Sequence, residues 1–186
     1  MNRRKQLRLK HYDYSQPGSY FITLCSYHNQ CIFGDVVDNE IILNQLGKLV
    51  DFTWLDLPNH VSGIKLDAFV IMPNHIHGII TIIDRTPHVG GGSSESFRLS
   101  HLNEPPPTLS GRPVMVIKQK PLSEIVRQFK TFSAQRINRF RGTKYSHVWQ
   151  RDYYDRVIRN EIAYQKVFEY IQSNPMKWKM DKYYFQ

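Results

Sequence analysis

The apolar residues of this 186-residue chain alternate between two periods, one typical of β-strands and one typical of helices. Runs rich in β-branched and aromatic residues predict strands over 19–25, 64–72 and 76–83, with a further short strand within 148–159. Residues 31–34 are expected either to continue the first strand or to pair with it. Apolar residues at nearly every position of 76–83 indicate a central strand that is covered on both faces.

Helical spacing of apolar residues predicts three helices, over 41–57, 121–141 and 160–174. Gly142 fits the C-cap of the second helix, and Pro175 ends the third. The order strand, helix, strand, strand, helix, strand, helix predicts an α+β fold. We expect a ferredoxin-like, split βαβ antiparallel sheet with helices on one face, followed by a C-terminal helix.

Length and composition favour one globular domain over residues 1–186, because 41% of the residues are hydrophobic. Two segments depart from the periodic pattern. Residues 1–11 contain six basic residues, counting histidine, and no acid, which predicts a basic arm. Residues 86–116 contain a Gly-rich and a Pro-rich stretch and are expected to form a flexible insertion.

The formal net charge of +9 favours a polyanionic partner, usually a nucleic acid. Cys25 and Cys31 are too few for a disulfide scaffold, and no apolar run reaches membrane-spanning length, so a cytoplasmic protein is expected. Of the basic residues, Arg151 and Arg156 could equally be surface salt-bridge residues. The residues chosen as candidate contacts to nucleic acid are Arg3, Arg4, Lys5, Arg8, Lys130, Arg151 and Arg156.

Two histidines stand at the beginning of the predicted central strand. Side chains alternate along a strand, so His75 and His77 point to the same side and can converge on one divalent ion. The competing interpretation is a pair of exposed histidines at a strand entrance.

A tyrosine and an asparagine lie four residues apart on the third predicted helix. Tyr170 and Asn174 therefore share one face, beside the apolar stripe of that helix. Asn174 offers a neutral oxygen to a metal or to a hydrogen-bond donor. The alternative is an ordinary interface tyrosine followed by a residue at the helix C-terminus.

Five motifs in this order resemble one known family, the single-tyrosine HUH transposases of the insertion-sequence type. The chain is most similar to the REP-associated tyrosine transposases, over most of its length. The motifs are Asp13-Tyr14-Ser15 with Gly18-Ser19-Tyr20-Phe21, Met72-Pro73-Asn74-His75-Ile76-His77, Phe129-Lys130-Thr131-Phe132, the run Trp149 to Arg159, and Tyr170-Ile171-Gln172-Ser173-Asn174-Pro175.

The resemblance implies metal-dependent cleavage and rejoining of single-stranded DNA near hairpins, with a 5′-phosphotyrosine intermediate. It places His75, His77 and Asn174 on the metal ligands and Tyr170 on the nucleophile. The implied cofactor is Mg²⁺ or Mn²⁺, and histidine-rich ligation suits Mn²⁺ better. The implied partner is single-stranded DNA with hairpin, repetitive palindromic elements, and a homodimer is compatible with the resemblance.

Two other functions fit parts of the sequence. A non-enzymatic module that binds single-stranded nucleic acid could use the same ferredoxin-like plan, but the central strands lack the basic and aromatic signature of such modules. A zinc hydrolase could use His75 and His77, and would need one more ligand. His60, His101 and His147 are available, although none lies in an obvious ligand motif.

Overall fold

A four-stranded antiparallel sheet organises the residues described by this computed structural model, 12–84 and 119–184. The predicted basic arm and the predicted insertion lie outside these residues. The sheet order is β4-β5-β1-β6. In chain order the elements are β1 (Gly18–Cys25), β2 (Gly34–Val37), β3 (Glu40–Leu43), α1 (Gln45–His60), β4 (Ile64–Ile71), β5 (His75–Ile82), α2 (Leu122–Arg141), β6 (Tyr154–Ile158), α3 (Glu161–Gln172) and a 3₁₀ helix (Pro175–Met180).

The fold prediction is confirmed, because β1, α1, β4, β5, α2 and β6 follow the split βαβ plan with every strand pair antiparallel. The histidine strand β5 is central, between β4 and β1. Helices α1 and α2 cover one face of the sheet. The C-terminal helix α3 covers the other. In the described part of the chain, no helix has the length and apolar character needed to cross a membrane.

Alternation along the strands separates the sheet into two apolar clusters. Ile76 and Ile80 of β5 belong to the large cluster under α1 and α2, whereas Ile79 belongs to a smaller cluster with Val167 of α3. Gly78 lies on the larger side, where a Cβ atom would come 2.5 Å from the indole of Trp54. The odd-numbered positions of β5, including both histidines, therefore face α3.

A small hairpin replaces the start of the first predicted helix. The helix was expected over 41–57, but Glu40–Leu43 forms β3 and pairs with β2. The two strands are joined by Asp38 and Asn39, with φ of 51° and 66°, as a two-residue turn requires. Helix α1 begins only after Asn44, whose side chain accepts hydrogen bonds from the amides of residues 46 and 47. The expectation that residues 31–34 continue or pair with β1 was also wrong, since Gly34 opens β2.

The third helix is shorter than the predicted 160–174. Asn160 caps α3 by accepting from the amide of Ala163 at 2.8 Å, and the helix ends at Gln172. Asn174 keeps helical dihedral angles but begins the 3₁₀ helix, because Pro175 cannot continue the α-helical hydrogen bonds. The chain then turns back over the first residues of β5.

Candidate active site

The two histidines lie side by side on the α3 face of the sheet, where β5 begins. His75 and His77 are 0% and 1% exposed, and their Nε2 atoms are 3.1 Å apart. The predicted shared side is confirmed. The alternative of an exposed pair is wrong, because α3 and the 3₁₀ segment cover this part of the sheet.

Asn74 fixes the tautomer of the first histidine. Its amide nitrogen donates to the carbonyl oxygens of Asn29 and Tyr183, at 3.2 and 2.7 Å, so its oxygen is the atom that faces His75. That oxygen can only accept, and it lies 2.8 Å from His75 Nδ1. The proton of neutral His75 therefore sits on Nδ1, and the Nε2 lone pair points at His77.

The second histidine is held by β1. Thr23 lies opposite His77 in the strand register, and its hydroxyl is 2.8 Å from His77 Nδ1. Burial lowers the pKa of His75 to about 4, opposed by Asp181 and assisted by Lys182. Burial lowers the pKa of His77 as well, and His75 and Lys182 add to that effect. Both imidazoles are thus neutral at pH 7, the form that binds a metal ion.

Tyr170 of the same chain reaches the histidine pair from α3. Its hydroxyl lies 3.1 Å from His77 Nε2, while 37% of the residue stays exposed. Phe21 packs edge-on against the ring, with centroids 6.0 Å apart. Burial, with Asp181 adding to it and a hydrogen bond with Asn174 opposing it, raises the pKa of Tyr170 to about 12.

Asn174 is buried beside Tyr170, as the shared helical face predicts. It is 1% exposed, and its amide nitrogen donates to Asp181 Oδ2 at 3.1 Å. Its side-chain oxygen is buried and has no hydrogen-bond partner in the described part of the chain. An orphaned acceptor at this place is what a metal ligand would leave when the ion is absent.

Asp181 is the site residue that the sequence analysis missed. Its carboxylate and the two histidine nitrogens all lie within 4.8 Å of one another. The carboxylate accepts hydrogen bonds from the backbone amide of Tyr183, at 2.8 Å, and from the side-chain amide of Asn174, at 3.1 Å. Only the turn of the 3₁₀ helix brings Asp181 to β5, so no spacing in the sequence reveals it.

These side chains fit a divalent cation. Neighbouring ligands of an octahedral ion with bonds of about 2.1 Å lie about 3 Å apart, and opposite ligands about 4.2 Å apart. The histidine nitrogens, at 3.1 Å, match neighbouring positions. The Asp181 carboxylate adds an oxygen, and the resulting nitrogen and oxygen donor set suits a divalent ion such as Mn²⁺. The other histidines considered as ligands are elsewhere: His60 contacts Asp56, His147 contacts Tyr27, and His101 lies outside the described residues.

The predicted nucleic-acid contacts are scattered. Lys130 donates to the carbonyl oxygens of residues 150, 151 and 152, at 2.9, 3.1 and 3.3 Å, and burial lowers its pKa to about 8. Arg151 is exposed on that loop. Arg156 is exposed on β6 and lines a cavity of about 250 Å³ that opens onto Tyr170 and His77. Arg3, Arg4, Lys5 and Arg8 lie outside the described residues.

Comparison with known proteins finds a protein of similar sequence and a solved structure of similar fold. An uncharacterized protein of Haemophilus influenzae is 36% identical over 184 residues, which cover 99% of this chain and 94% of that protein. A solved REP-associated tyrosine transposase, bound to a REP hairpin, superposes with a TM-score of 0.56 at 16% identity, covering 94% of this chain and 76% of that one. No protein-family model matches the chain.

Proposed function

We propose a function from one premise: the chain belongs to the same protein family as the Haemophilus influenzae protein, and it has the fold of a REP-associated tyrosine transposase. The proposed activity is metal-dependent nicking and rejoining of single-stranded DNA, with Tyr170 as the nucleophile, at sites next to hairpins. The hairpin partner is inferred from the DNA in that transposase structure and from the motif resemblance.

One observation carries the proposal. The Tyr170 hydroxyl lies 3.1 Å from His77 Nε2, which lies 3.1 Å from His75 Nε2. A nucleophile is useful only where the charge of the phosphate is offset, and this hydroxyl lies beside a donor set that fits a divalent cation. Both groups belong to one chain, so we propose that Tyr170 acts on DNA held by its own subunit. A homodimer is not needed to complete the site.

The reaction conserves one phosphodiester bond. The Tyr170 hydroxyl oxygen attacks the phosphorus and the P–O3′ bond breaks. The strand downstream of the break stays joined to Tyr170 through its 5′ phosphate, as a phosphotyrosine. The phenol proton passes to solvent, and the departing 3′ oxygen takes up a proton. A free 3′-hydroxyl can reverse the same step on the phosphotyrosine, so the strand is rejoined without ATP.

His75, His77 and Asp181 would hold the cation, with the Asn174 side-chain oxygen as a further ligand. When bound, the cation supplies positive charge that favours the phenolate of Tyr170 and offsets charge on the phosphate. The Asn74 and Thr23 side chains orient the imidazoles. Burial of the site keeps both imidazoles neutral, so they need lose no proton before they bind a metal.

The test is covalent capture on a denaturing gel. Wild-type protein with Mn²⁺ and a hairpin-bearing single strand should form a protein–DNA adduct, and peptide mapping should place the DNA on Tyr170. Tyr170→Phe keeps the ring and removes the attacking oxygen, so it should bind DNA without forming an adduct. Tyr154→Phe is the matched control, because Tyr154 lines the same cavity. An adduct mapped to Tyr154, or formed by Tyr170→Phe, would refute the assignment.

A metal-dependent hydrolase is the second candidate, and Asp181 is the observation that favours it. Two histidines and one carboxylate form a ligand set that catalytic zinc sites use with an activated water. Such an enzyme would cleave DNA without a covalent intermediate and would retain activity in Tyr170→Phe. The non-enzymatic binding module would show neither an adduct nor cleavage.

A further inference from the structure

Three cavities that share lining residues lie along the edge strand β6 and helix α3, and one of them opens onto Tyr170. We call them together the β6–α3 groove. Their volumes are about 460, 260 and 250 Å³, and Arg156 lines all three. The other residues used below are Tyr154, Arg159, Ala163, Lys166, Tyr170 and Lys182.

The walls of the groove are cationic. Arg156, Arg159 and Lys166 line it, and within residues 12–84 and 119–184 none of them forms an ion pair. Lys182 stands at the end beside Tyr170, its ammonium 5.3 Å from the Tyr154 ring. Among the described lining residues the one acid is Asp155, which is 4% exposed. Unpaired cations in a concave surface attract a polyanion.

Helix α3 lines the groove with side chains at regular spacing. Ala163, Lys166 and Tyr170 are spaced three and four residues apart, so they form one stripe along α3. Seven residues of helix rise about 10 Å, so the stripe runs along the length of the groove. The small Ala163 side chain leaves the groove open at its far end. On the opposite wall, Arg156 and Tyr154 point to the α3 side of β6, since they lie two residues apart.

We propose that the β6–α3 groove binds the phosphate backbone of the single strand whose scissile phosphate reaches Tyr170. The proposal rests on the function proposed above and adds the path of the substrate. The occupant is a single strand because the proposed reaction acts on one, and because the half-buried Tyr154 places an aromatic side chain beside these cations, the combination that single-strand grooves use. Arg156, Arg159 and Lys166 contact its phosphates.

The experiment measures binding without catalysis. A fluorescent 12-nucleotide single strand is titrated in EDTA, over a range of salt concentrations, with wild type and with the groove variant Arg156→Gln/Arg159→Gln/Lys166→Gln. Each lost phosphate contact lowers the slope of log K against log salt by about 0.7, so the groove variant should lose about 2 in slope and roughly tenfold in affinity. These three residues lie outside the metal and nucleophile set.

The control removes the same charge elsewhere. Arg139→Gln/Arg141→Gln/Lys144→Gln changes three basic residues at and just after the C-terminal end of α2, and should leave the slope near that of wild type. If both triple variants lose the same slope, the effect is net charge and the groove is not the path. An unchanged slope in the groove variant would also refute the proposal.

A second pair of variants tests shape without touching charge. Ala163→Phe fills the groove, whereas Gln165→Phe places the same ring on the exposed side of α3. Only Ala163→Phe should weaken binding, and it should weaken single-strand binding more than duplex binding. Equal binding of duplex, or no effect of Ala163→Phe, would overturn the single-strand assignment. Because no adduct is measured, this outcome is independent of whether Tyr170 is the nucleophile.

Discussion

The two faces of the central sheet are built from the same strands but differ in what they bury: one holds the large apolar cluster, and the other holds the two histidines beside a smaller apolar cluster. Under α1 and α2 the strands bury hydrocarbon and aromatic groups such as Ile76, Ile80 and Trp54. Under α3 and the 3₁₀ segment, the alternate positions of the same strands bury Thr23, His75 and His77. Burial of polar groups costs free energy unless they are hydrogen-bonded.

Hydrogen bonds allow the chain to hold a polar site in its interior. The apolar face provides the stability, and the polar face is satisfied by hydrogen bonds to neighbouring strands and to the C-terminal segment. Each histidine Nδ1 has its own partner, Asn74 or Thr23, at 2.8 Å. Changes on the first face should therefore lower stability, and changes on the second should lower metal binding and chemistry.

The largest expected effect is on the apolar face. Trp54 is 1% exposed and stacks on Phe69 with ring centroids 4.4 Å apart. Trp54→Ala should lower the free energy of unfolding by about 3–5 kcal/mol, since it leaves a large cavity. Chemical denaturation measures this loss. Leu55→Ala, on the same helix but 68% exposed, is the control and should change stability by well under half as much.

The affinity for Mn²⁺ should fall sharply when a histidine on the polar face is removed. His77→Ala is expected to weaken Mn²⁺ binding by at least about 100-fold, because loss of a direct ligand exceeds the 10–100-fold cost of losing an outer hydrogen bond. The protein should still unfold cooperatively. Calorimetry measures the affinity, and His60→Ala, remote from the site, is the control. Unchanged Mn²⁺ affinity in His77→Ala would remove the metal assignment.

A smaller loss should follow when only the support of a ligand is removed. Thr23→Val keeps the shape of the side chain but removes the hydroxyl 2.8 Å from His77 Nδ1. Mn²⁺ affinity should fall about tenfold. Thr81→Val is the matched control, since the Thr81 hydroxyl on β5 bonds to Ser19 and Asp67 away from the histidines. If both variants bind Mn²⁺ equally, the hydroxyl of Thr23 does not orient His77.

The parts of the site that lie in one element could be predicted from sequence. Strand alternation is sufficient to place His75 and His77 on one side, and helical spacing places Tyr170 beside Asn174. The apolar run after the histidines is dense enough to identify a central strand. These predictions depend on local geometry, and the structure agrees with each of them.

The parts that depend on tertiary contacts could not be predicted. Asp181 reaches β5 only because the 3₁₀ helix turns the chain back after Pro175, and no periodic pattern marks that turn. The β2–β3 hairpin was misread as helix because Ile41, Ile42 and Leu43 continue the apolar spacing of α1. The signal that separates them is the Asp38-Asn39 turn, whose left-handed dihedral angles favour those two residue types.

The smallest predicted effect is the contribution of His75 to the pH dependence of stability. Burial lowers the pKa of His75 to about 4, with Asp181 opposing and Lys182 assisting, whereas the unfolded chain titrates this imidazole near 6.5. Between these values the unfolded state binds more protons than the folded state, so stability falls as pH falls through the window and is unaffected above it. In EDTA, the His75 share of the loss between pH 7 and pH 5.5 should be up to about 1 kcal/mol. Denaturant unfolding at the two pH values gives the stability lost by each protein. The loss in wild type minus the loss in His75→Gln is the His75 share, and His60→Gln is the exposed control. If wild type and His75→Gln lose the same stability, His75 is not held neutral by its burial.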